Sequence, residues 1–347
     1  MSPLKILALP ADQLSIRVLF SHYRIVLPLA CLKEQGHDVT FIRAGDNIDF
    51  AGIHNPAQYD VIVGQRTSGI AISQWWQKLA AVPDRNYVLI YEIDDLLFVK
   101  GAIPKTNYAA WLYFDQDPEC MKRIRDNMAV SDLVTTTTEQ LADYVHPINP
   151  HTAILPNYID KAVLGVSRQA ADGFVVVAPT SPSHLGDWDW SGKSIGRFIK
   201  QSGASIHFVG SCFDRQLSAS IPDQIFVTPW VHIPRYYESL IGDVAVAPLS
   251  PTNGLNECKS SLKVLEAMAL GLPIVAADTE TYRGVIKHGF NGFLARKNEF
   301  DRYLWQLFNY PELRDEIAVN GRDYVRDNYL IQDNAYRWSD AYNAIIK

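Results

Sequence analysis

The stretch that decides the fold covers residues 256–277 and reads NECKSSLKVLEAMALGLPIVAA. It predicts a polar loop, a helix, a tight stop and a buried strand, in that order. Apolar residues recur at helical spacing in its first half, and Gly271 and Pro273 supply the stop. The apolar run 274–277 that follows is typical of a strand that is covered on both faces.

Three charged residues lie in the helical part of this stretch. Lys259, Lys263 and Glu266 are spaced i, i+4 and i+7, so we expect them to share the face opposite the core. Two cations, a carboxylate and a helix N-terminus suit a phosphate beside a hydroxyl-rich sugar, with Glu266 accepting from a ribose diol. A surface helix with one salt bridge has the same spacing, and spacing alone does not separate the two interpretations.

The next informative stretch, residues 281–295, reads TYRGVIKHGFNGFLA. Together the two stretches resemble the C-terminal signature of glycosyltransferase family 4 and its relatives, the GT-B nucleotide-sugar transferases. The resemblance implies that Glu266 holds the ribose of the donor. It places further donor contacts at Asn256, Lys259, Ser260 and Lys263.

One position departs from that signature. Many members carry a second Glu eight positions before the one that matches Glu266, and Cys258 stands there in this chain. The surrounding pattern, Asn-x-x-Lys-Ser-x-Leu-Lys-x-x-Glu, is similar to a bacterial and phage-type subgroup. The resemblance therefore supports the ribose role of Glu266 more directly than any contact with the transferred sugar.

Bulk composition is compatible with such an enzyme. The chain has 347 residues, for which two domains are the natural expectation, with 48% hydrophobic and 20% charged residues. Its net charge of −6 provides no overall attraction to nucleic acid or anionic lipid. The four cysteines have neither metal-ligand spacing nor a disulfide pattern, so we expect a cytoplasmic protein. We expect no signal segment and no membrane span.

Strand and helix signals alternate along the chain, which predicts an α/β fold with parallel, doubly wound sheets. The pattern weakens over residues 156–173 and then restarts. Two Rossmann-like halves with a cleft between them correspond to the GT-B architecture. We expect an acceptor-binding domain over residues 1–160, a nucleotide-sugar-binding domain over 172–327, and a C-terminal helix within 328–347. In the relatives that helix crosses back to the first domain, and the helix here is suitably amphipathic.

Polar residues follow the strands of the first half, where ligand crevices open in such sheets. Tyr23 and Arg24 come after the first strand, and Gln65 and Arg66 come after the third. Tyr23 is expected to stack on a sugar and Arg24 to reach a phosphate. We predict that all four residues belong to the acceptor site. An ordinary helix start and a polar loop are the competing interpretations.

Two adjacent carboxylates, those of Asp94 and Asp95, stand at the end of a predicted strand of the first half. Adjacent like charges are costly to desolvate unless cations or hydroxyls meet them, so Asp94 and Asp95 are predicted catalytic residues. Either one would bind hydroxyls or act as general base toward the acceptor. Similar bacterial and phage transferases have this Asp pair where better-known relatives place a His. A helix N-cap followed by a solvated Asp is the alternative.

The loop after the first strand of the second half resembles a segment that lies under the donor diphosphate in relatives. Its expected phosphate contacts are Ser181, Ser183 and His184, with Lys193 from the next helix. Asp187 and Asp189 spell the Asp-x-Asp motif that binds metal in other transferases. Its position here differs from theirs, so we predict no metal site.

Further donor-site predictions come from two later segments of the chain. Gly210 ends a strand, where a missing Cβ lets backbone approach a ligand. Trp230 and Val231 resemble the base-binding edge of the family. The segment 156–160 resembles the hinge between the two domains and is expected to be structural.

The sequence therefore predicts a metal-independent glycosyltransferase with no cofactor, which uses a UDP- or GDP-linked sugar as its donor substrate. Retention at the anomeric carbon is implied by the resemblance. The expected acceptor is a glycan, a lipid-linked sugar or a small molecule, and a hydroxylated base in DNA is an alternative. A sugar-nucleotide epimerase on the same scaffold and a sugar-binding module without activity remain open. The oligomeric state is not predicted.

Overall fold

The chain folds around two parallel six-stranded sheets, one in each half. The computed structural model describes residues 3–11, 21–42, 55–107, 110–167, 171–181, 184–210, 215–252 and 254–346.

The sheet of the N-terminal half has the strand order β2-β1-β3-β4-β5-β6, and all its pairs are parallel. Its strands are β1 (Lys5–Leu9), β2 (Asp38–Phe41), β3 (Val61–Gln65), β4 (Val88–Glu92), β5 (Leu133–Thr136) and β6 (Thr152–Ile154). Alternate residues of β1 enter different cores. Ile6 and Ala8 pack on one side of the sheet, and Leu7 and Leu9 pack on the other. Because both faces are covered, the strand reads as a continuous apolar run.

The sheet of the C-terminal half has the order β12-β11-β10-β7-β8-β9 and is also parallel throughout. Its strands are β7 (Val175–Pro179), β8 (Ser205–Gly210), β9 (Ile225–Pro229), β10 (Val244–Ala247), β11 (Ile274–Ala277) and β12 (Phe293–Ala295). Parallel neighbours need crossover connections, which helices provide.

The helices of the N-terminal half are α1 (Leu27–Glu34), α2 (Ile70–Ala80), α3 (Pro118–Val130) and α4 (Glu139–Val145). Those of the C-terminal half are α5 (Leu185–Ser202), α6 (Arg215–Ser220), α7 (Arg235–Glu238), α8 (Gly254–Glu257), α9 (Leu262–Ala269), α10 (Glu280–Arg283), α11 (Phe300–Asn309), α12 (Pro311–Asn328), α13 (Ile331–Asn334) and α14 (Tyr336–Asn343). Short π-helical turns span His22–Val26 and Trp111–Asp115, and 3₁₀ turns span Pro56–Gln58, Lys161–Gly165 and Pro222–Gln224.

The predicted fold class is confirmed, including the return of the chain to its first half. The helices α13 and α14 pack against α1 of the N-terminal domain. Trp338 and Tyr342 are buried there, and the guanidinium of Arg24 lies 5.8 Å from the centre of the Trp338 ring. The expected single terminal helix is divided into two short ones.

The stretch 256–277 folds as predicted, with one correction. It forms α9 and β11, and Gly271 ends the helix at φ +64°, a left-handed conformation that glycine adopts without strain. However, α9 begins at Leu262, so Lys259 lies before the helix and not on its face. The helix is also no surface helix, since residues 264–269 are all buried.

The segment before α9 belongs to the core of the other half. Leu255 and Cys258 join the hydrophobic cluster that packs on the N-terminal sheet, which also contains Leu96 and Ala102. The Thr138 hydroxyl donates to the Cys258 carbonyl at 3.1 Å. Many members of the family that the sequence resembles carry a Glu at the position of Cys258. In this chain Cys258 is therefore a buried residue that packs between the domains.

Candidate functional site

Several of the predicted site residues gather between the carboxyl ends of the two sheets. Arg66 follows β3, the Asp pair follows β4, and α9 with its preceding loop faces them from the C-terminal half. Crevices at the carboxyl ends of parallel strands are the usual ligand sites of such sheets. Three groups of side chains occupy this region.

The first group surrounds the carboxylate of Glu266. Tyr23 donates a hydrogen bond to Oε1, and Tyr236 donates to Oε2 at 3.1 Å. The hydroxyl oxygens of Tyr23 and Tyr237 are 2.5 Å apart. Burial raises the pKa of Glu266 to about 7, while its tyrosine bonds and the charge of Lys263 act in the opposite direction. We name these four residues the tyrosine cluster: Tyr23, Tyr236, Tyr237 and Glu266.

The second group carries opposite charges across the domain boundary. Arg66 forms ion pairs with both carboxylates, reaching Asp95 at 2.7 Å and Asp94 through its Nε. Lys259 of the C-terminal half bonds the other oxygen of Asp95 at 2.7 Å. We name this the ion-pair cluster: Arg66, Asp94, Asp95 and Lys259.

Charge in the ion-pair cluster decides the protonation of its buried carboxylate. Burial favours the neutral form of Asp95, but Lys259 and Arg66 outweigh it, and the pKa of Asp95 lies below its ordinary value. Arg66 holds both carboxylates from a left-handed backbone conformation, φ +47°. Such strain in a residue other than glycine persists only where neighbouring contacts enforce it.

The third group centres on Asp187, which is buried in the first turn of α5. Its Oδ1 accepts from the Ser250 amide and from Asn256 Nδ2, both at 2.7 Å, and its Oδ2 lies 2.6 Å from His184 Nδ1. Burial and the charge of Lys263 together lower the pKa of His184 to about 4, although the Asp187 carboxylate acts in the opposite direction. The imidazole is therefore neutral at pH 7, with Nδ1–H donating to Asp187 and Nε2 left as an acceptor.

This protonation changes what His184 can contact. A neutral imidazole that offers a lone pair suits a sugar hydroxyl better than a phosphate oxygen. The predicted phosphate contact of His184 is not favoured, although the residue does lie beside the predicted donor residues. Sequence reasoning considered Asp187 only as part of a metal motif and missed its role as the acceptor that joins the segment after β10 to α8 and α5.

Lys263 lies between the first and third groups. Burial and the charge of Lys259 lower the pKa of this lysine, Asp187 and Glu266 act in the opposite direction, and the resulting pKa is about 8. Among the residues that the structure describes, Lys263 Nζ forms no hydrogen bond or close ion pair. An ammonium group that is partly buried, beside a second cation and without a partner, is an anion-binding arrangement.

The other predicted acceptor residues are engaged within the fold. Arg24 is buried and pairs with Glu92 at 2.7 Å, and it also donates to the Leu155 carbonyl at 2.6 Å and to Asn157 at 3.0 Å. A phosphate contact by Arg24 would require breaking this buried pair. Gln65 is buried and accepts from the Ser21 hydroxyl at 2.7 Å. The Tyr23 hydroxyl belongs to the tyrosine cluster, where sequence reasoning expected it to stack on a sugar.

Lys193 is separated from these groups, contrary to the sequence prediction. It is exposed on α5 and lines an outer groove of about 760 Å³ together with Asp189 and Leu217 of α6. Asp187 is buried while Asp189 faces this groove, so the two carboxylates of the Asp-x-Asp motif point to different environments. Over the described ranges, no three His, Cys, Asp or Glu side chains converge as metal ligands would.

The remaining predicted donor residues surround the site. Gly210 has φ +116°, and a Cβ there would lie 2.0 Å from the Thr180 carbonyl oxygen, so its lack of a side chain is needed for backbone packing. The Trp230 ring stacks on Tyr236 with centroids 5.7 Å apart, and Val231 is partly buried. Ser181 is partly buried at the end of β7. Ser183 lies outside the described residues.

Ser260 connects the donor loop to the predicted hinge. Its hydroxyl accepts from Asn157 Nδ2 at 2.8 Å, and Asn157 also accepts from Arg24. Asn157, Tyr236 and Tyr237 were absent from the predicted site. The adjacent tyrosines after Trp230 were the available signal, but only folding brings them to Glu266.

Comparison with known proteins agrees with the two-domain fold. Residues 175–308 match the family described as glycosyl transferases group 1. An uncharacterized glycosyltransferase of Haemophilus influenzae is 23% identical over 340 residues, which are 88% of this chain and 91% of that protein.

Solved structures share the whole two-domain architecture. Sucrose-phosphate synthase from Thermosynechococcus elongatus gives a TM-score of 0.70 at 14% identity, over 99% of both chains. HepE from Anabaena, solved in complex with UDP and glucose, gives 0.66 at 14% identity, over 98% of this chain and 100% of its own. TarM gives 0.57 at 17% identity over 82% of this chain and 54% of its own, so this chain spans about half the length of that protein. No helix in the described ranges is long and apolar enough to cross a membrane.

Proposed function

We propose that this chain, a glycosyltransferase of the GT-B fold with a glycosyl transferase group 1 domain, binds a UDP- or GDP-linked sugar in its C-terminal half and transfers it to an acceptor hydroxyl held by its N-terminal half. One observation carries the donor assignment. Lys263 is a partly buried ammonium without a hydrogen-bond or ion-pair partner in the described chain, and Lys259 and Glu266 flank it. That arrangement supports a diphosphate next to a ribose.

The proposed roles follow from charge. Lys263 and Lys259 stabilise the negative charge that develops on the leaving diphosphate, which is the kind of preorganised electrostatics that dominates many enzymatic rate enhancements. Glu266 accepts from the ribose, and the acceptor nitrogen of His184 receives a sugar hydroxyl. No step in this scheme is assigned to a metal or to a cofactor.

We assign different roles to the two adjacent carboxylates. Asp95 is held by two cations with a lowered pKa, so it is a weak base and serves to place Lys259. The Asp94 side chain is as exposed as that of Asp95, at 11%, but among the described residues it pairs with Arg66 and with no second cation, so it is the member that can meet an acceptor hydroxyl. Retention of anomeric configuration is proposed on the resemblance of the C-terminal signature alone.

The proposed acceptor is a glycan, a lipid-linked sugar or a small molecule. A net charge of −6 disfavours the alternative acceptor, a hydroxylated base in DNA, because phosphate attraction supplies much of the affinity for DNA.

The test is to incubate the protein with a panel of UDP- and GDP-sugars, with and without acceptors of each class, and to identify products by mass. Acceptor-dependent release of nucleoside diphosphate with a glycosylated product supports the proposal. An isomerised sugar formed without acceptor indicates an epimerase instead. Binding of the nucleotide sugars without turnover on any acceptor indicates a binding module.

A further inference from the structure

Glu266 cannot meet a ribose in the arrangement that the structure shows. Its side chain is enclosed, with 2% of the residue exposed, and both carboxylate oxygens already accept hydrogen bonds. A donor nucleotide therefore has to displace at least one tyrosine hydroxyl before the diol reaches the carboxylate.

The two hydroxyl groups that bond Glu266 come from different halves of the molecule. Tyr236 lies on α7, in the same domain as Glu266, and keeps its place whichever way the domains move. Tyr23 lies in the π-helical turn after β1, 243 residues before Glu266 in the chain. Its bond to the carboxylate therefore exists only while the N-terminal domain is pressed against α9.

The hydroxyl of Tyr237 stabilises the contact between Tyr23 and Glu266. The proton of Tyr23 is directed at Glu266, so Tyr237 must donate to the Tyr23 oxygen across their 2.5 Å separation. The ring of Tyr23 is itself buried, so its hydroxyl has no water to bond when it leaves the carboxylate in the closed arrangement. Displacing Tyr23 therefore requires movement between the domains and not only rotation of a side chain.

We propose that the Tyr23 hydroxyl occupies the place of a ribose hydroxyl on Glu266, so that donor binding and this interdomain contact exclude each other. A phenol and a ribose hydroxyl are both neutral O–H donors, and a carboxylate accepts either. The inference rests on the proposed ribose role of Glu266. It makes Tyr23 a positioning residue that acts through Glu266, and it predicts that wild-type affinity for the donor is lower than the site itself allows.

Protonation agrees with this arrangement. Burial raises the pKa of the Tyr23 hydroxyl well above its ordinary value, and the charge of Glu266 adds to this, so Tyr23 remains a proton donor at neutral pH. The ribose diol brings two donors where Tyr23 brings one, which gives the donor the advantage once the contact opens.

The test compares two matched variants, Tyr23→Phe and Tyr236→Phe. Each deletes one hydroxyl that bonds Glu266 and keeps the ring, but only Tyr23 lies in the other domain. UDP and GDP are titrated calorimetrically into wild type and both variants, with thermal unfolding as the check of folding. We expect Tyr23→Phe to bind the preferred nucleotide about tenfold more tightly, since a hydrogen bond to a carboxylate no longer has to be broken. Tyr236→Phe should bind equally or more weakly, and KM for the nucleotide sugar should follow the same order.

The outcomes separate the inference from the function on which it rests. Unchanged or weaker binding by a folded Tyr23→Phe variant overturns the inference and leaves the donor site standing. Tighter binding by both variants also overturns it, because the effect would then not depend on the domain boundary. If neither nucleotide binds wild type or variants, the proposed donor site is refuted, and the inference with it.

Discussion

The tyrosine cluster and the ion-pair cluster both join the two domains around buried carboxylates, yet they act on those carboxylates in opposite directions. Neutral hydroxyls surround Glu266, and burial raises its pKa to about 7. Cations surround Asp95, and they lower its pKa despite burial. The comparison shows that the charge of the partner, and not the depth of burial, decides which carboxylate is a firm anion.

The difference also determines which of the two carboxylates can exchange its protein partner for a substrate group. A hydroxyl on Glu266 can be exchanged for a sugar hydroxyl at little electrostatic cost. Removing Lys259 from Asp95 would leave Arg66 to balance two adjacent carboxylates, and breaking a buried ion pair typically costs about 3–5 kcal/mol. We therefore expect the domain movement that releases Tyr23 to keep the Lys259–Asp95 ion pair, so that the ion-pair cluster persists during the reaction and the tyrosine cluster changes.

The largest expected effect comes from the ion-pair cluster. Asp94→Asn keeps the shape of the side chain and removes its charge, and we expect kcat to fall about 10²-fold, the scale of general acid–base contributions. Affinity for nucleoside diphosphate should hardly change, because that contact lies in the other domain. Steady-state kinetics with calorimetry would check this. Normal turnover would mean that Asp94 serves only to anchor Arg66.

The tyrosine cluster gives the next effect. Glu266→Ala should weaken nucleoside diphosphate binding about 30-fold, since the ribose loses its charged hydrogen-bond acceptor. Glu280→Ala, which removes an exposed carboxylate from α10, is the control and should leave calorimetric affinity unchanged. Equal affinities for wild type and Glu266→Ala would remove Glu266 from the donor site.

Lys263 lies next to both clusters and predicts a pH dependence of binding. Its pKa is lowered to about 8 in the free protein, and a bound diphosphate would raise it by favouring the ammonium form. Between pH 7 and 8 donor affinity should therefore be full, and it should fall as pH rises further, by up to about tenfold per pH unit. Titrations at pH 7 to 9.5 would measure this fall.

Two variants sharpen the interpretation of that profile. Lys263→Met should bind weakly and with a flat pH profile. Lys193→Met, which changes a lysine of the outer groove, should keep the wild-type profile. A wild-type profile in Lys263→Met would assign the proton to another group and withdraw Lys263 as the phosphate contact.

The smallest expected effect concerns metal. Asp187 is bonded to three donors within the protein and Asp189 faces another environment, so we expect turnover to be unchanged in excess EDTA. The expectation is checked by assaying with chelator and then with added manganese or magnesium. If turnover is lost and either metal restores it, the expectation is wrong. A metal site would then lie at this Asp pair or outside the described residues.

Local patterns predicted the parts of the fold that depend on neighbours in the chain. The apolar run 274–277 identified β11, because a strand covered on both faces has to be apolar throughout. Short strands were harder to predict. The three-residue strands β6 and β12 were not predicted, since a segment this short has too few residues to show a period.

Site residues were predicted where their role depends on neighbours in the chain. They were missed where their role depends on partners that are distant in the sequence. Lys263 and Glu266 stand on one helix, and their spacing was visible in the chain. Lys193 obeyed the same kind of local argument and proved to lie in the outer groove, because the orientation of α5 depends on its packing. Arg24 was recognised as a charged residue before the first helix, but its partner Glu92 could not be identified.

The sequence by itself determined the two-sheet architecture, the position of the donor helix and the types of side chain near it, because periodicity, stop signals and strand ends are properties of short segments. Only the tertiary structure decided which charges meet. Tyr23 reaches Glu266 across 243 residues, and Lys259 reaches Asp95 across 164. The protonation of each carboxylate depends on such distant partners and on the water that they exclude, and neither is encoded in local spacing.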